Sequence, residues 1–311
     1  MSDGTAKPVV GFIGVGLMGH GIAANMLKAG YPLWIKGNRN RDPVEDLLQK
    51  GAREAASPRE IAERSEIVQL CLPNSAAVEA AVLGDNGIAA SGKAGLIVID
   101  STTADPMSTE RLAALLAGAG MTMVDAPLGR TPKEAEEGTL DAMVGADDAT
   151  YARIRPLIEC WAGAISRTGP VGSAHKMKLI MNFIGMGYAA IYAEALSLGV
   201  KSGIAPQTIR DVIGASRLSN GFFDTFMRYG VGRDPEAHKF TLENAGKDVR
   251  YVASMALATG TLNPMGAAIR NYFAHTVSSG NGQDYVGALS DHVARLNGID
   301  LAKAVADAEK P

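Results

Sequence analysis

Six residues near the start, Gly14-Val15-Gly16-Leu17-Met18-Gly19, restrict the fold more than any other stretch of the chain. They follow an apolar, β-rich run at 9–13 and precede a helical pattern at 18–29, and a second apolar run at 33–35 begins just past Gly30. Between a strand and a helix, Gly14 permits a tight turn, Gly16 lets a pyrophosphate approach the backbone, and Gly19 lets helix and strand pack closely. The phosphates then rest at the helix N-terminus, where backbone N–H groups and the helix dipole favour an anion. An ordinary glycine-rich turn would not require a strand before it and a helix after it, so a dinucleotide site is expected.

Further β-rich runs at 67–72, 96–100, 122–125 and 140–144, a helical run at 147–161 and a last strand at 165–168 continue the alternation expected of a parallel α/β sheet. After Gly172 strand patterns cease and Ala-, Leu- and Met-rich helical runs continue. The chain is thus predicted to be α/β, with a doubly wound Rossmann-type domain at 1–171 and an all-α domain at 172–311. The second domain opens on a helix at 175–200, roughly 39 Å long at about 1.5 Å per residue, enough to connect two domains. Its Gly185, Gly187, Ala189, Ala190, Ala193 and Ala195 keep it thin, so other helices, including one from a second subunit, can approach closely. Asn182 and Glu194 within its apolar stretch would be costly in lipid, so it reads as a buried helix of a soluble protein.

Composition narrows the partners. With 47% hydrophobic and 20% charged residues and a formal charge of -3, the chain has material for a core and no global attraction to nucleic acid or anionic membrane. Two cysteines, Cys71 and Cys160, exclude a disulfide framework or a cysteine-rich zinc site, and no metal is expected. Residues 1–8 carry one lysine and no apolar core, so no signal peptide and a cytoplasmic location are predicted.

Cofactor choice rests on the end of the second strand. A carboxylate there would bind a ribose 2′-hydroxyl, but the chain reads Lys36-Gly37-Asn38-Arg39-Asn40-Arg41 with no acid before Asp42. Three cations at this spot favour a 2′-phosphate, hence NADP over NAD, with Asn38 and Arg39 as contacts; the alternative is a solvated basic turn.

Further on, a glycine-rich turn at 169–173 leads into the long helix, which carries Lys178 and, one turn later on the same face, Asn182. A lysine beside a nicotinamide can protonate a carbonyl oxygen as hydride reaches its carbon, and an amide can bond the same oxygen or hold the amine. Lys178 taken alone also fits a snorkelling surface lysine, and Lys176 competes for the role.

These blocks, with Asp100-Ser101-Thr102, Asp125-Ala126-Pro127, Gly138-Thr139-Leu140 and Lys247-Asp248, occur in an order that resembles the β-hydroxyacid dehydrogenases, the family of 3-hydroxyisobutyrate dehydrogenase and tartronate semialdehyde reductase. The resemblance spans nearly the whole chain. It implies a Rossmann domain, a long interdomain helix and a helical second domain, assembled as dimers or tetramers. It also implies that Lys178 is catalytic with Asn182 in support, that Leu17 and Met18 offer amides to the pyrophosphate, and that Leu72 and Pro73 lie along the cofactor. Thr102 falls near the nicotinamide, Ser101 at the substrate, and Lys247 over the cofactor cleft.

One departure is informative. Where the family commonly has Ser-Gly-Gly to hold a substrate carboxylate, this chain has Gly129-Arg130-Thr131, a version similar to the sulfolactaldehyde reductases. Met181 and Gly185 depart from that subgroup. The expected substrate is a small anionic aldehyde or its hydroxy acid, read by Arg130 unless that side chain turns outward onto Glu134 or Glu136. An imine reductase and a non-catalytic dinucleotide-binding module are the alternatives, and Lys178 with Asn182 argues against both. His175, His238, His275 and His292 lack metal-ligand spacing and read as surface or helix-end groups, Glu134, Glu136 and Glu137 as a solvated turn face, and Asp248 as a partner for a nearby cation.

Overall fold

A computed structural model of the chain describes residues 6–308; most of the stretch read for a leader, residues 1–5, lies outside them. The chain divides into two compact units, residues 1–178 and 179–311. The division falls inside a long helix, a few residues after the composition change at 169–173.

In the first unit the elements run β1 (Val10–Ile13), α1 (Gly19–Lys28), β2 (Leu33–Lys36), α2 (Asp42–Gln49), β3 (Arg53–Glu54), α3 (Pro58–Arg64), β4 (Ile67–Leu70), α4 (Ser75–Leu83), β5 (Ile97–Asp100), α5 (Pro106–Gly118), β6 (Thr122–Asp125), β7 (Leu128–Gly129), α6 (Pro132–Glu137), β8 (Leu140–Gly145), α7 (Asp148–Ile158) and β9 (Ala162–Gly169). The strand order is β3-β2-β1-β4-β5-β6-β8-β7, with β9 added beside β8. Strands β1 to β6 pair in parallel, whereas β8 pairs antiparallel with β6 and β7. The three strands β1, β4 and β5 are buried along their whole length, as expected of a parallel sheet covered by helices on both faces. One face packs Phe12, Ile22, Met26, Ile35 and Trp161, the other Ile61, Leu70, Val82, Val98 and Leu112. The order reverses between β1 and β4, so their C-terminal ends open the crevice in which doubly wound sheets bind dinucleotides.

Glu134, Glu136 and Glu137, read from sequence as a solvated turn face, lie on helix α6 instead. Thr131 and Glu134 make a reciprocal capping box, which satisfies two N–H groups that a helix start leaves unpaired.

Helix α8 (Ser173–Lys201) runs through the division, 29 residues in all. By length and composition it could cross a membrane, but Met186, Ala189, Ala190, Ala193 and Leu196 pack into the core of the second unit. That core is completed by α9 (Pro206–Gly214), α10 (Gly221–Gly230), α11 (Leu242–Thr259), α12 (Pro264–Thr276), α13 (Leu289–Leu296) and α14 (Leu301–Ala308). Phe223, Phe226, Leu242, Val249 and Phe273 are its large contributions. A second set of α8 residues, Ile180, Met181, Ile184, Tyr188, Ile191 and Leu198, is exposed.

Candidate active site

The glycine loop joins β1 to α1 as its sequence requires. Gly14 has φ +102°, and a Cβ there would lie 2.2 Å from the Cys71 carbonyl oxygen. A Cβ on Gly19 would meet the Gly14 carbonyl oxygen at 2.0 Å and Phe12 at 2.9 Å, whereas one on Gly16 would meet nothing within 4 Å. The first and third glycines are therefore packed from behind, and the second faces open space. Leu17 is 83% exposed, and the Met18 N-cap supplies no side-chain acceptor to the start of α1. Backbone N–H groups at an uncapped helix start beside open space are what a pyrophosphate needs. The residues present fit a dinucleotide.

At the end of β2, Arg41 is held by Glu45 and Glu54, at 2.7 Å to each. Those hydrogen bonds, Glu54 first, raise its already high pKa, and Arg41 holds the Glu54 carboxyl below its usual range. Arg41 thereby occupies the carboxylates of Glu45 and Glu54. Asn38 and Arg39 are exposed, and Arg39 makes no ion pair among the described residues.

Leu72, beside the glycine turn, donates its N–H to Thr102 Oγ1 at 3.0 Å. Thr102 in turn donates its N–H to Asp100 Oδ1 at 2.9 Å, so the loops after β4 and β5 are tied together. Pro73 is exposed in the first of these loops. Burial pushes the Asp100 carboxyl up. Ser101, expected at the substrate, is 3% exposed, and its hydroxyl accepts from Gln69 Nε2 at 2.9 Å; its side chain serves the sheet.

Asp125 sets the start of α8. Its two oxygens accept the N–H groups of Gly172 at 2.7 Å and His175 at 2.8 Å, a carboxylate placed where the helix dipole favours it. His175 was expected at a surface or helix end; it is at the helix end but fully buried, with Nδ1 2.7 Å from Thr109 Oγ1. Of the two competing lysines, Lys176 is committed to Glu110 Oε1 at 2.5 Å. Lys178 is half-buried at the close of the first unit.

Gly129, Arg130 and Thr131 lie on β7 and the turn into α6. Arg130 pairs with neither Glu134 nor Glu136: its Nε is 3.0 Å from Asp141 Oδ1, with both side chains nearly half exposed. That contact raises the pKa of the guanidinium. Arg130 also has φ +74°, a left-handed conformation that glycine adopts freely and other residues seldom do. Thr131 is committed to the α6 cap, donating its N–H to Glu134 Oε2 at 3.0 Å.

In the second unit, Asn182 Nδ2 donates to Asp248 Oδ2 at 2.6 Å. Asp248 is 1% exposed, and its other oxygen lies 3.1 Å from Lys247 Nζ. Lys247 Nζ also sits 5.5 Å from the Tyr251 ring centroid. The anchor of Asn182 thus comes from α11, 66 residues away, and only the general expectation that Asp248 would meet a cation foreshadowed it. Among the described residues no group of three or more His, Cys, Asp or Glu side chains converges as a metal site would.

The strand order and the glycine loop together define a Rossmann-type dinucleotide-binding protein. Residues 9–169 match the model for the NAD binding domain of 6-phosphogluconate dehydrogenase, and residues 172–291 that for the NAD-binding region of NADP-dependent 3-hydroxyisobutyrate dehydrogenase. The chain is 29% identical over 293 residues to 2-(hydroxymethyl)glutarate dehydrogenase of Eubacterium barkeri, covering 94% of this chain and 97% of that one. It is 28% identical over 284 residues to 3-sulfolactaldehyde reductase of Escherichia coli strain K12, covering 91% and 95%. A solved 3-hydroxyisobutyrate dehydrogenase from Salmonella typhimurium superposes with a TM-score of 0.77 at 27% identity, covering 91% of this chain and 99% of that chain. The chain therefore belongs to the β-hydroxyacid dehydrogenase family and is an NAD(P)-dependent oxidoreductase.

Proposed function

We propose that the protein interconverts a short aldehyde bearing a terminal anion and the corresponding hydroxy acid, with NADP preferred over NAD and Lys178 as general acid and base. The observation that carries this reading is Arg130, an arginine held in a backbone conformation suited to glycine and gripped by Asp141 at its Nε edge. A residue held in a sparsely populated conformation persists where its surroundings and a function require it. With Nε on Asp141, the two terminal nitrogens remain as a planar fork that matches two oxygens of a carboxylate, sulfonate or phosphonate. The relatives named for 3-sulfolactaldehyde and 2-(hydroxymethyl)glutarate support an anionic substrate.

The nicotinamide cofactor supplies or accepts hydride when bound. Gly14, Gly16 and Gly19 with the amides of Leu17 and Met18 would hold its pyrophosphate, and Asn38 and Arg39 its ribose phosphate. Leu72, Pro73 and Thr102 would line the nicotinamide end, with Lys247 a further contact. In the reducing direction the Lys178 ammonium gives a proton to the carbonyl oxygen, and in the oxidising direction the neutral amine takes it back. Asn182, whose amide nitrogen donates to Asp248 Oδ2, is the supporting residue in this reading. Lys176, paired with Glu110, is left out of the chemistry.

The same proposal includes a homo-oligomer in a reducing, cytoplasmic setting. Of seventeen exposed large apolar side chains among the described residues, thirteen lie in the second unit, six of them along α8, a surface that a second copy of the chain would cover; Cys71 and Cys160 are free thiols. Assaying the purified protein with NADPH and NADH against short aldehydes carrying carboxylate, sulfonate or phosphonate groups, beside uncharged aldehydes of equal length, tests the activity. No turnover of any anionic aldehyde with either cofactor would refute it. Sedimentation of the same preparation as a monomer would refute the oligomer.

A further inference from the structure

His20, in the first turn of α1, lies between two carboxylates from different helices. Its Nδ1 is 2.7 Å from Glu136 Oε1 on α6, and its Nε2 is 2.7 Å from Asp46 Oδ2 on α2. The imidazole is 19% exposed. The charged groups facing it are Asp46, which also binds Lys50 on α2 at 2.5 Å, and Glu136. An ionised carboxylate only accepts, so both bonds form together only when both ring nitrogens carry protons. A neutral imidazole keeps one bond and turns a lone pair toward the other carboxylate.

The helices joined here belong to three parts of the site. Helix α1 starts at the dinucleotide loop, α2 follows the Asn38–Arg39 turn, and α6 is entered directly from Gly129, Arg130 and Thr131. Contact between α1 and α6 is close: a Cβ on Gly21 would lie 2.5 Å from the backbone of Ala135 and Glu136. Asn25 Nδ2 donates to the carbonyl oxygens of Ala135 at 2.9 Å and Glu136 at 3.2 Å. Gly21 and Asn25 make this seam at any pH, whereas the His20 link depends on a proton.

We propose that His20 is a positioning residue for the substrate loop: as an imidazolium it fixes α6, and with it residue 130, against the phosphate-binding end of α1, and loss of its proton loosens that hold. The effect on substrate rests on Arg130 reading the anion; the effect on the loop does not. Burial works against the charged ring, but the bonds to Glu136 and Asp46 outweigh it and hold the pKa above its usual 6.5. A group raised in the folded state contributes fully below its unfolded pKa and loses that contribution as pH rises through the folded value. The hold is therefore complete in mild acid and weakens toward alkaline pH.

Amide hydrogen exchange across residues 128–138 of the intact protein, corrected for the intrinsic pH dependence of exchange, tests the loop directly between about pH 6 and about pH 9. Protection in the wild type is expected to fall as pH rises, and in His20→Gln to be low and flat. Glu136→Gln, which leaves the ring in place, is expected to flatten the profile as well and covers the case of a poorly folding His20 variant. In parallel, KM for an anionic aldehyde should rise about tenfold with pH, as for losing one charge-assisted hydrogen bond, with kcat unchanged and no such rise in His20→Gln. Exchange that ignores pH, or follows it equally in His20→Gln, overturns the proposal, whereas a KM that stays constant while the loop loosens supports His20 as the hold on the loop and counts against Arg130 as the anion reader. A KM that rises equally for anionic and uncharged aldehydes supports His20 as the hold on the loop and counts against Arg130 as the anion reader.

Discussion

Replacing Arg130 by glycine and, separately, by alanine pulls apart the strain and the recognition that meet at that position. At φ +74° an L-residue gives up about 1–2 kcal/mol relative to glycine. The Asp141 pair, with both side chains close to half exposed, contributes no more than about 1 kcal/mol. Alanine removes the guanidinium but keeps the Cβ and its strain. Glycine removes both, at the expense of about 0.4–1 kcal/mol of added freedom in the unfolded chain. The glycine variant should therefore be more stable than the alanine variant by about 0.5–1 kcal/mol, measured as a higher urea midpoint at unchanged slope. Activity should not follow stability. Both variants lose a charge-assisted contact of about 1.5–3 kcal/mol, so kcat/KM for an anionic aldehyde should fall by about tenfold to about 150-fold, while an uncharged aldehyde of the same length is little affected. An alanine variant as stable as the glycine variant would show that residue 130 is not left-handed in solution. Equal losses on both aldehydes would show that the guanidinium does not read the anion.

Lys178→Ala is expected to lower kcat by at least ~10²-fold and leave NADPH affinity, titrated by cofactor fluorescence, nearly unchanged; comparable turnover at saturating substrate would move the acid elsewhere. Arg39→Asp should reduce or reverse a preference for NADPH over NADH, and a wild type that binds NADH more tightly would mean that residues 36–41 are only a solvated basic turn. Asp248→Ala takes a carboxylate from a Lys247 that is only 13% exposed and frees the Asn182 amide. Breaking a buried pair in this way typically amounts to about 3–5 kcal/mol, and chemical denaturation that finds less than 1 kcal/mol would show that the pair is solvated.

Much of the first unit could be read from sequence because its long-range pairing and its local pattern agree. Buried parallel strands such as 67–70 and 97–100 are continuous apolar runs whatever their neighbours, and the glycine loop carries its own steric reasons. Helices α2 to α5 followed from the alternation without being placed, and the other elements that escaped were short. Strands β3 and β7 have two residues each and owe their existence to the strands beside them. Helices α3 and α6 did announce themselves: Ser57 accepts from the Glu60 N–H three residues on, and Thr131 and Glu134 form the same motif, a Ser/Thr-x-x-Glu signature that marks helix starts. Reading 134–137 as a turn weighed the three glutamates by charge and passed over the cap in front of them.

The site divides along a different line. The residues proposed to meet a ligand carry local signals, so Gly14, Gly16, Gly19, Arg39 and Lys178 stand out in one dimension. Residues that hold those loops in place act across the fold: Asn182 is fixed from 66 positions away, the start of α8 from 47 and 50, and His20 meets Glu136 at a separation of 116. Asp125 and Asp248 do fall in blocks that carry the resemblance, but no block says what a carboxylate holds, because a histidine or an aspartate looks the same in sequence whether it faces water or clamps a neighbour. The consequence for Arg130 is specific. From sequence it is one arginine where the resemblance implies glycine for most of the family; in the fold its backbone is strained, its Nε edge is taken by Asp141, and the helix that follows it is held to α1 by Asn25 and His20. An unassisted arginine at an exposed turn would relax that strain or swing between partners. Three supports on one short segment argue that its position, and not only its charge, is what the chain maintains.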